Sequence, residues 1–518
     1  MIKKYNKMKS RRNMMKSIRV RNLRSLKDTD EIEIKRINIL VGTNSSGKST
    51  FLRVFPLLKQ SFNKKIKGPI LWCGDDDDYV DFGSFEEAVN YGVKDKCIKL
   101  TFAADVNLER SYEYRINRRK RKTRELETAR LEISIKNSKE TGYDYISQIQ
   151  LIFRNNIVIV NFSEENEIKN VCINNHEIIL DYEKKEEVFF SFYYEHPLFD
   201  ISLYPLRYCA EKNIRQFFEL EDDIDDGNRM FENYVLYLYY CRMLKEDIKI
   251  KNIEKVKRDI ERLDKKDYEK LERWVLLYYL PDYFQVISNY IRTYFRKVYY
   301  IAPVRATAER YYRLRNAAVN EVDCRGKNLP VFLNSLSNKN FAQFQNWTKE
   351  NLGFEVMKTT SEGHVSLKIR RKNQEKSVNL SDTGFGYSQI LPIVTQLWYI
   401  EEENNLPFKA VDNDIPTTMV IEQPELHLHP GLQAKLIDII AKVAKQGKVN
   451  FIIETHSETM INRIGHIIAN GGIKNDDVGI TIFEKEAGNN STLVKKGGYD
   501  EEGYLENWPL GFFEPEED

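Results

Sequence analysis

The chain has 518 residues, 42% hydrophobic and 31% charged, with 80 basic and 78 acidic side chains. Its 27 Phe and 30 Tyr need a core to pack in, which excludes a disordered or collagen-like chain. A formal charge of +2 names no acidic partner by itself, and the length suits roughly three domain-sized units.

In chain order, residues 1–25 carry ten Lys or Arg and no acid, and 1–16 reads as a basic arm. No apolar stretch follows it, so a signal peptide is not expected, and Met8, Met14 and Met15 offer later starts. Residues 17–41 read as two strands. Ile18 and Val20 alternate with Arg19 and Arg21, as do Ile32 and Ile34 with their neighbours. Residues 37–41 are nearly continuously apolar, which suits a strand covered on both faces. A helix is predicted over 50–58. Short apolar runs at 97–102, 131–135 and 157–161 make residues 71–180 β-rich, within a first unit spanning 17–210. Residues 211–298 read as a helical insertion, with helices at 228–245 and 267–280, the second ended by Pro281. It lacks sustained heptads, so no long coiled-coil arm is expected. The last unit, 299–518, alternates elements again. Strands are predicted at 419–421 and 451–453, a helix from Pro430, and a hairpin pairing 480–483 with 492–494.

No run of about 18 apolar residues is present, so no membrane span is expected. The cysteines at 73, 97, 172, 209, 241 and 324 form no CxxC pair and suit neither zinc nor a disulfide framework. A reduced, cytoplasmic setting is expected.

The strongest chemical signal is Gly42-Thr43-Asn44-Ser45-Ser46-Gly47-Lys48-Ser49, a full P-loop between a predicted strand and a predicted helix. Glycines let backbone N–H groups close around phosphate oxygens, and the helix start at Thr50 favours negative charge. Lys48 is expected to reach the β- and γ-phosphates of ATP, and Ser49 to ligate Mg²⁺. In Val420-Ile421-Glu422-Gln423-Pro424-Glu425, Glu422 ends a buried strand and is the candidate acid beside Ser49 at the magnesium. In Glu454-Thr455-His456-Ser457, His456 follows another buried strand and is placed to meet a γ-phosphate or attacking water. Leu380-Ser381-Asp382-Thr383-Gly384 precedes a helix and offers a further anion-binding start.

The order of these motifs resembles ABC-type ATPases of the RecF, SMC and overcoming-lysogenization-defect class. Residues 380–394, the run Ile421 to Gln433 and the tail Asn507-Trp508-Pro509-Leu510-Gly511-Phe512-Phe513 resemble a bacterial AAA-family branch with a Trp-Pro-x-Gly-Phe-Phe terminus. Tyr300 to Arg305, with Arg310, fits that branch as well. The resemblance covers roughly 17–60 and 299–518. It implies an α/β P-loop NTPase head of ABC type with an antiparallel β subdomain and a helical insertion. It further implies a head-to-head dimer closed by ATP, with Ser381 and Gly384 of one copy capping the nucleotide of the other. Relatives with such heads serve in antiphage defence, DNA repair or toxin control, which implies an effector such as a nuclease or toxin acting in trans.

Two departures matter. Asp382 and Thr383 stand where paired glycines are more familiar. Gln423 stands where many such ATPases carry the general base, and an amide takes no proton at pH 7. Hydrolysis then falls to Glu425 or His456, or to water oriented by Gln423, as Gln does in some GTPases. A non-hydrolysing scaffold that sequesters or activates an effector is the competing reading, with a RecF-like repair ATPase beside it. The stretch after His456 is too short for an appended Toprim-type nuclease, and the signature loop disfavours a transporter subunit.

The remaining features read more plainly. His427 and His429 read as a structural turn, Asp75–Asp78 as a solvated loop, and the aromatic block near 189–204 and 234–240 as packing. Gln60 is a weak candidate for a magnesium-sensing glutamine. Arg118, Arg119, Lys120, Arg121, Lys122 and Arg124 suit either a phosphate-binding hairpin tip, for nucleic acid, or a solvated charged face.

Overall fold

The computed structural model describes residues 14–75, 78–108, 126–180, 203–220, 226–239, 253–314, 319, 321–372, 374–405, 415–485 and 491–509. The basic run 118–124, most of the basic arm, and the Gly-Phe-Phe end of the tail lie outside them.

Strands Ile37–Gly42, Thr417–Glu422 and Val449–Glu454 are buried at every position. Such strands need cover on both faces, which a parallel sheet between helices supplies. They lie in the order Val298–Ile301, Thr417–Glu422, Val449–Glu454, Ile37–Gly42, Val478–Lys485, all parallel. Thr492–Tyr499 and Leu505–Glu506 extend the last edge antiparallel, the first as the expected hairpin partner.

Side chains alternate across this sheet and so divide two cores. Leu40, Val420, Ile452 and Phe483 pack on one face with Phe51, Phe55 and Leu58 of the helix Lys48–Asn63. Ile39, Val41, Met419, Ile421 and Ile453 pack on the other with helices Phe385–Asn405, Pro430–Lys445 and Glu458–Ala469. Glu422 pairs in register with Glu454, and Glu454 with Leu40. Both acids and Gly42 therefore leave the sheet at its C-terminal edge, where open α/β sheets take their ligands.

A nine-stranded antiparallel sheet covers the P-loop helix side, with Ile98–Val106 paired to Met14–Leu23 and Glu127–Asn137. The region expected as two strands contains four: Met14–Leu23, Leu26–Asp28, Ile32–Glu33 and Ile37–Gly42. Met14–Leu23 begins within the expected basic arm. A smaller antiparallel sheet, built on Phe354–Ser361 and His364–Arg371, leads into the Leu380–Asp382 turn.

The helical stretch holds Tyr204–Phe217, Asp226–Leu236, Ile253–Glu261 and Lys265–Arg296. The expected stop at Pro281 does not occur. An interior proline costs a helix about 3 kcal/mol. Around it Leu277, Tyr279, Leu280, Tyr283 and Phe284 are all buried, and each such side chain contributes roughly 1.5–3 kcal/mol. Packing therefore carries the helix through the proline. Its end lies between the P-loop helix and the antiparallel sheet, with the Phe295 ring 5.9 Å from Phe55 and 5.5 Å from Phe102. Among the described residues no helix is long and apolar enough to cross a membrane.

Candidate functional site

The strand Ile37–Gly42 runs directly into the P-loop and then into the helix from Lys48. Gly42 has φ +146°, and a Cβ there would stand 2.0 Å from the Phe483 carbonyl oxygen. Gly47 has φ +98°, and a Cβ would stand 2.7 Å from Leu26 Cδ2. Only glycine fits either position. Thr492 Oγ1 donates to the Ser46 carbonyl at 2.8 Å and ties the loop to the neighbouring strand. Thr43, Asn44 and Ser45 are exposed at the mouth, whereas Ser46, Gly47 and Lys48 are buried. The Ser46 hydroxyl is buried and lacks a partner among the described residues.

Lys48 Nζ donates to the carbonyls of Gly42 at 2.9 Å and Thr43 at 2.7 Å, so the ammonium lies inside the loop. Burial lowers its pKa, opposed by the Glu454 charge. Phosphate oxygens brought into the loop would meet this cation and the amides at the helix start.

The sequence reading pairs Ser49 with Glu422. In the structure the Ser49 hydroxyl donates to Glu454 Oε1 at 2.8 Å. Glu422 instead faces Arg53, one turn further along the P-loop helix. Arg53 donates to both carboxylate oxygens at 2.7 and 3.0 Å, and the Tyr300 hydroxyl donates to Oε2 at 2.8 Å. Glu454 is 1% exposed, and its Oε2 has no partner among the described residues. Burial, and next the Glu422 charge, push its pKa up to about 7. A buried carboxylate oxygen without a donor, beside a P-loop serine, fits a cation.

Glu425 accepts from Thr455 Oγ1 at 2.9 Å and from the His456 backbone N–H at 2.7 Å. Both its oxygens thereby hold the Thr455-His456 turn, and burial raises its pKa. The His456 ring sits below its ordinary pKa through desolvation and the nearby Lys48 charge. Gln423 has φ +44° and its N–H donates to the Glu454 carbonyl at 2.9 Å, which joins the two acid-bearing strands. Arg305 is buried and donates to the Glu422 carbonyl at 3.2 Å, and burial lowers its pKa to about 10.

An open cleft of about 570 Å³ adjoins the P-loop, lined by Arg24, Ser25, Ser45, Tyr91, Lys485 and Thr492. It has the size for a nucleoside next to bound phosphates. The signature-type loop stands elsewhere. Ser381 hydrogen-bonds Asn379 and Asp382, and Asp382 pairs with Arg310 at 2.8 Å, so none of these bonds reaches the P-loop. Gly384 is exposed with φ +83°, and nothing lies within 4 Å of a Cβ built on it. The loop is exposed at Asp382, Gly384 and Phe385, just ahead of and at the start of the helix Phe385–Asn405.

Three other residues have structural work. Gln60 is buried, donates to the carbonyls of Leu71 and Val80, and accepts from the N–H groups of Tyr79 and Val80. His429 caps the helix Pro430–Lys445 by accepting from Gly431 N–H at 3.2 Å. The His427 ring lies 5.8 Å from that of Phe385.

Sequence reasoning missed Glu454 and Arg53 as site residues. Glu454 carries the same signal as Glu422, an acid closing a fully apolar strand. Arg53 stands four residues after Ser49, hence on the same helix face.

The chain matches the AAA ATPase domain family over residues 14–461 and belongs to it. With the P-loop geometry and the α/β sheet, this defines an ATP-binding ATPase. Among solved structures it is similar to the Smc head domain of Pyrococcus furiosus, determined with an extended coiled coil and bound to the C-terminal domain of ScpA. That likeness has 11% identity and a TM-score of 0.32, covering 93% of this chain and 96% of that one. The SMC head domain of Thermotoga maritima is similar at 9% identity with a TM-score of 0.33, covering 93% and 98%. No curated protein matches the chain.

Proposed function

We propose that the chain is a Mg·ATP-driven switch that hydrolyses ATP and closes on a second copy of itself. The observation that carries this is the P-loop, with its buried lysine and with the Glu454 carboxylate behind Ser49. Lys48 would turn from the loop carbonyls to the β- and γ-phosphates. Ser49, backed by Glu454, would hold Mg²⁺. The chemistry supplied by bound Mg²⁺ is neutralisation of charge on the transferred phosphoryl group. His456, held by Glu425 through its backbone, would face the γ-phosphate. Gln423 would orient the attacking water, whose proton would pass to an oxygen of the γ-phosphate as the bond to the ADP leaving oxygen breaks. The loop carrying Ser381 and the exposed Gly384 would cap nucleotide bound on the partner copy.

The setting favoured by the sequence resemblance is antiviral defence with a nuclease or toxin effector in trans. One observation favours a second reading, a non-hydrolysing ATP-dependent scaffold. Gln423 cannot act as a base, and both oxygens of Glu425 are engaged. Phosphate release from Mg·ATP, beside a Lys48→Ala control, separates the two readings. Turnover that vanishes in the control supports the switch, and tight ATP binding without turnover supports the scaffold.

A further inference from the structure

Glu422 and Glu454 close neighbouring strands in register, yet their surroundings differ. Both oxygens of Glu422 are taken by the Arg53 fork and the Tyr300 hydroxyl, and its side chain is 3% exposed. A dication at Glu422 would have to displace three hydrogen bonds and stand against a guanidinium. A bidentate guanidinium–carboxylate pair is among the stronger charge-assisted arrangements. Glu454 has the opposite character. One oxygen accepts from Ser49, and the other is buried without a donor among the described residues. Its strand also lies directly beside the P-loop strand, whereas that of Glu422 lies one strand further out. Strand spacing makes that difference roughly 4.8 Å.

We propose that Glu454, with Ser49, is the carboxylate of the Mg²⁺–nucleotide site, and that Glu422 anchors Arg53 and Tyr300 instead of meeting the metal. This rests on the nucleotide reading above. Mg²⁺ keeps near-octahedral geometry with one or two carboxylates, phosphate oxygens and waters. The Ser49 hydroxyl, already directed at Glu454, would offer its lone pairs to the same ion. The Glu454 oxygen that has no donor would gain a charged partner.

The test uses the full chain and two readouts other than turnover. A fluorescent ATP analogue is titrated with Mg²⁺ and again with EDTA, and bound Mn²⁺ is counted by electron paramagnetic resonance with a non-hydrolysable analogue. Loss of a metal-site ligand or its support typically costs 10–100-fold in metal affinity. Glu454→Gln is expected to keep the affinity measured in EDTA and to lose the Mg²⁺ enhancement and the bound Mn²⁺. Ser49→Ala is expected to do the same. It guards against misfolding of the buried-site variant. Glu422→Gln is expected to keep the enhancement while its melting temperature falls. Retention of the enhancement in Glu454→Gln overturns the proposal, as does its loss in Glu422→Gln with an unchanged melt. Failure of the unaltered chain to bind nucleotide under either condition overturns the proposed function first, and this assignment with it.

Discussion

Removal of the Arg53 guanidinium should destabilise the head without touching the phosphate loop. Glu422 is 3% exposed and Arg53 32% exposed at their side chains. In Arg53→Ala the buried carboxylate would keep only the Tyr300 hydroxyl among its side-chain donors. Breaking a buried ion pair from one side costs about 3–5 kcal/mol. Water reaching the part-exposed arginine position places this case at the low end, about 3 kcal/mol. Tyr300→Phe removes a single bond to a charged group and should cost about 1.5–3 kcal/mol. Replacing all three by apolar side chains of similar volume, as Arg53→Met, Glu422→Leu and Tyr300→Phe together, should return stability to within about 1 kcal/mol of the unaltered chain. Urea unfolding followed by tryptophan fluorescence, read as midpoints at constant slope, measures each value. The reasoning is refuted if Arg53→Ala costs under about 0.5 kcal/mol, the ordinary range for surface changes. It also fails if the triple variant is as unstable as the single.

Other outcomes follow from the same geometry. Gly42→Ala places a Cβ 2.0 Å from a backbone oxygen, so it should abolish nucleotide binding and lower the melting temperature, both read directly on purified protein. Glu454 gives a pH signature in nucleotide-free protein. Its carboxyl titrates at about 7 when folded and near 4.5 when unfolded, so between these values the folded state binds the extra proton. Stability should therefore fall as pH rises from 4.5 to 7, by up to about 3 kcal/mol, and level off above. Glu454→Gln should remove that slope and melt higher than the unaltered chain at pH 8, and a lower melt there contradicts the assignment. Tyr91 lines the cleft beside the P-loop and is 84% exposed, placed to stack on a base. Tyr91→Ala should weaken ATP by about tenfold, at the lower end of base–aromatic stacking, while leaving tripolyphosphate affinity unchanged. Calorimetry with both ligands checks this.

Much of the site was legible because its signals are local. A fully apolar run followed by Gly42–Ser49 specifies strand, loop and helix together, and the structure has all three. Pro430 opening a helix and the pairing of 480–483 with 492–494 were equally local. The stop at Pro281 misled, because the cost of a proline is local whereas the aromatic packing that offsets it is not. The division of residues 17–41 into four strands where two were expected escaped for a related reason: Arg24 and Asp30 take positive φ without being glycine, so their turns carry weak markers. The division of labour between Glu422 and Glu454 was not legible at all. Both close apolar strands, and only the fold brings Arg53 and Tyr300 to one and Ser49 to the other.

Phosphate release from Mg·ATP by the purified chain, beside Lys48→Ala, tests the central claim most directly. The account predicts turnover in the unaltered chain and none in the variant, because the buried ammonium is the cation inside the phosphate loop. Turnover undiminished in Lys48→Ala, or no binding of ATP by either protein, would contradict it.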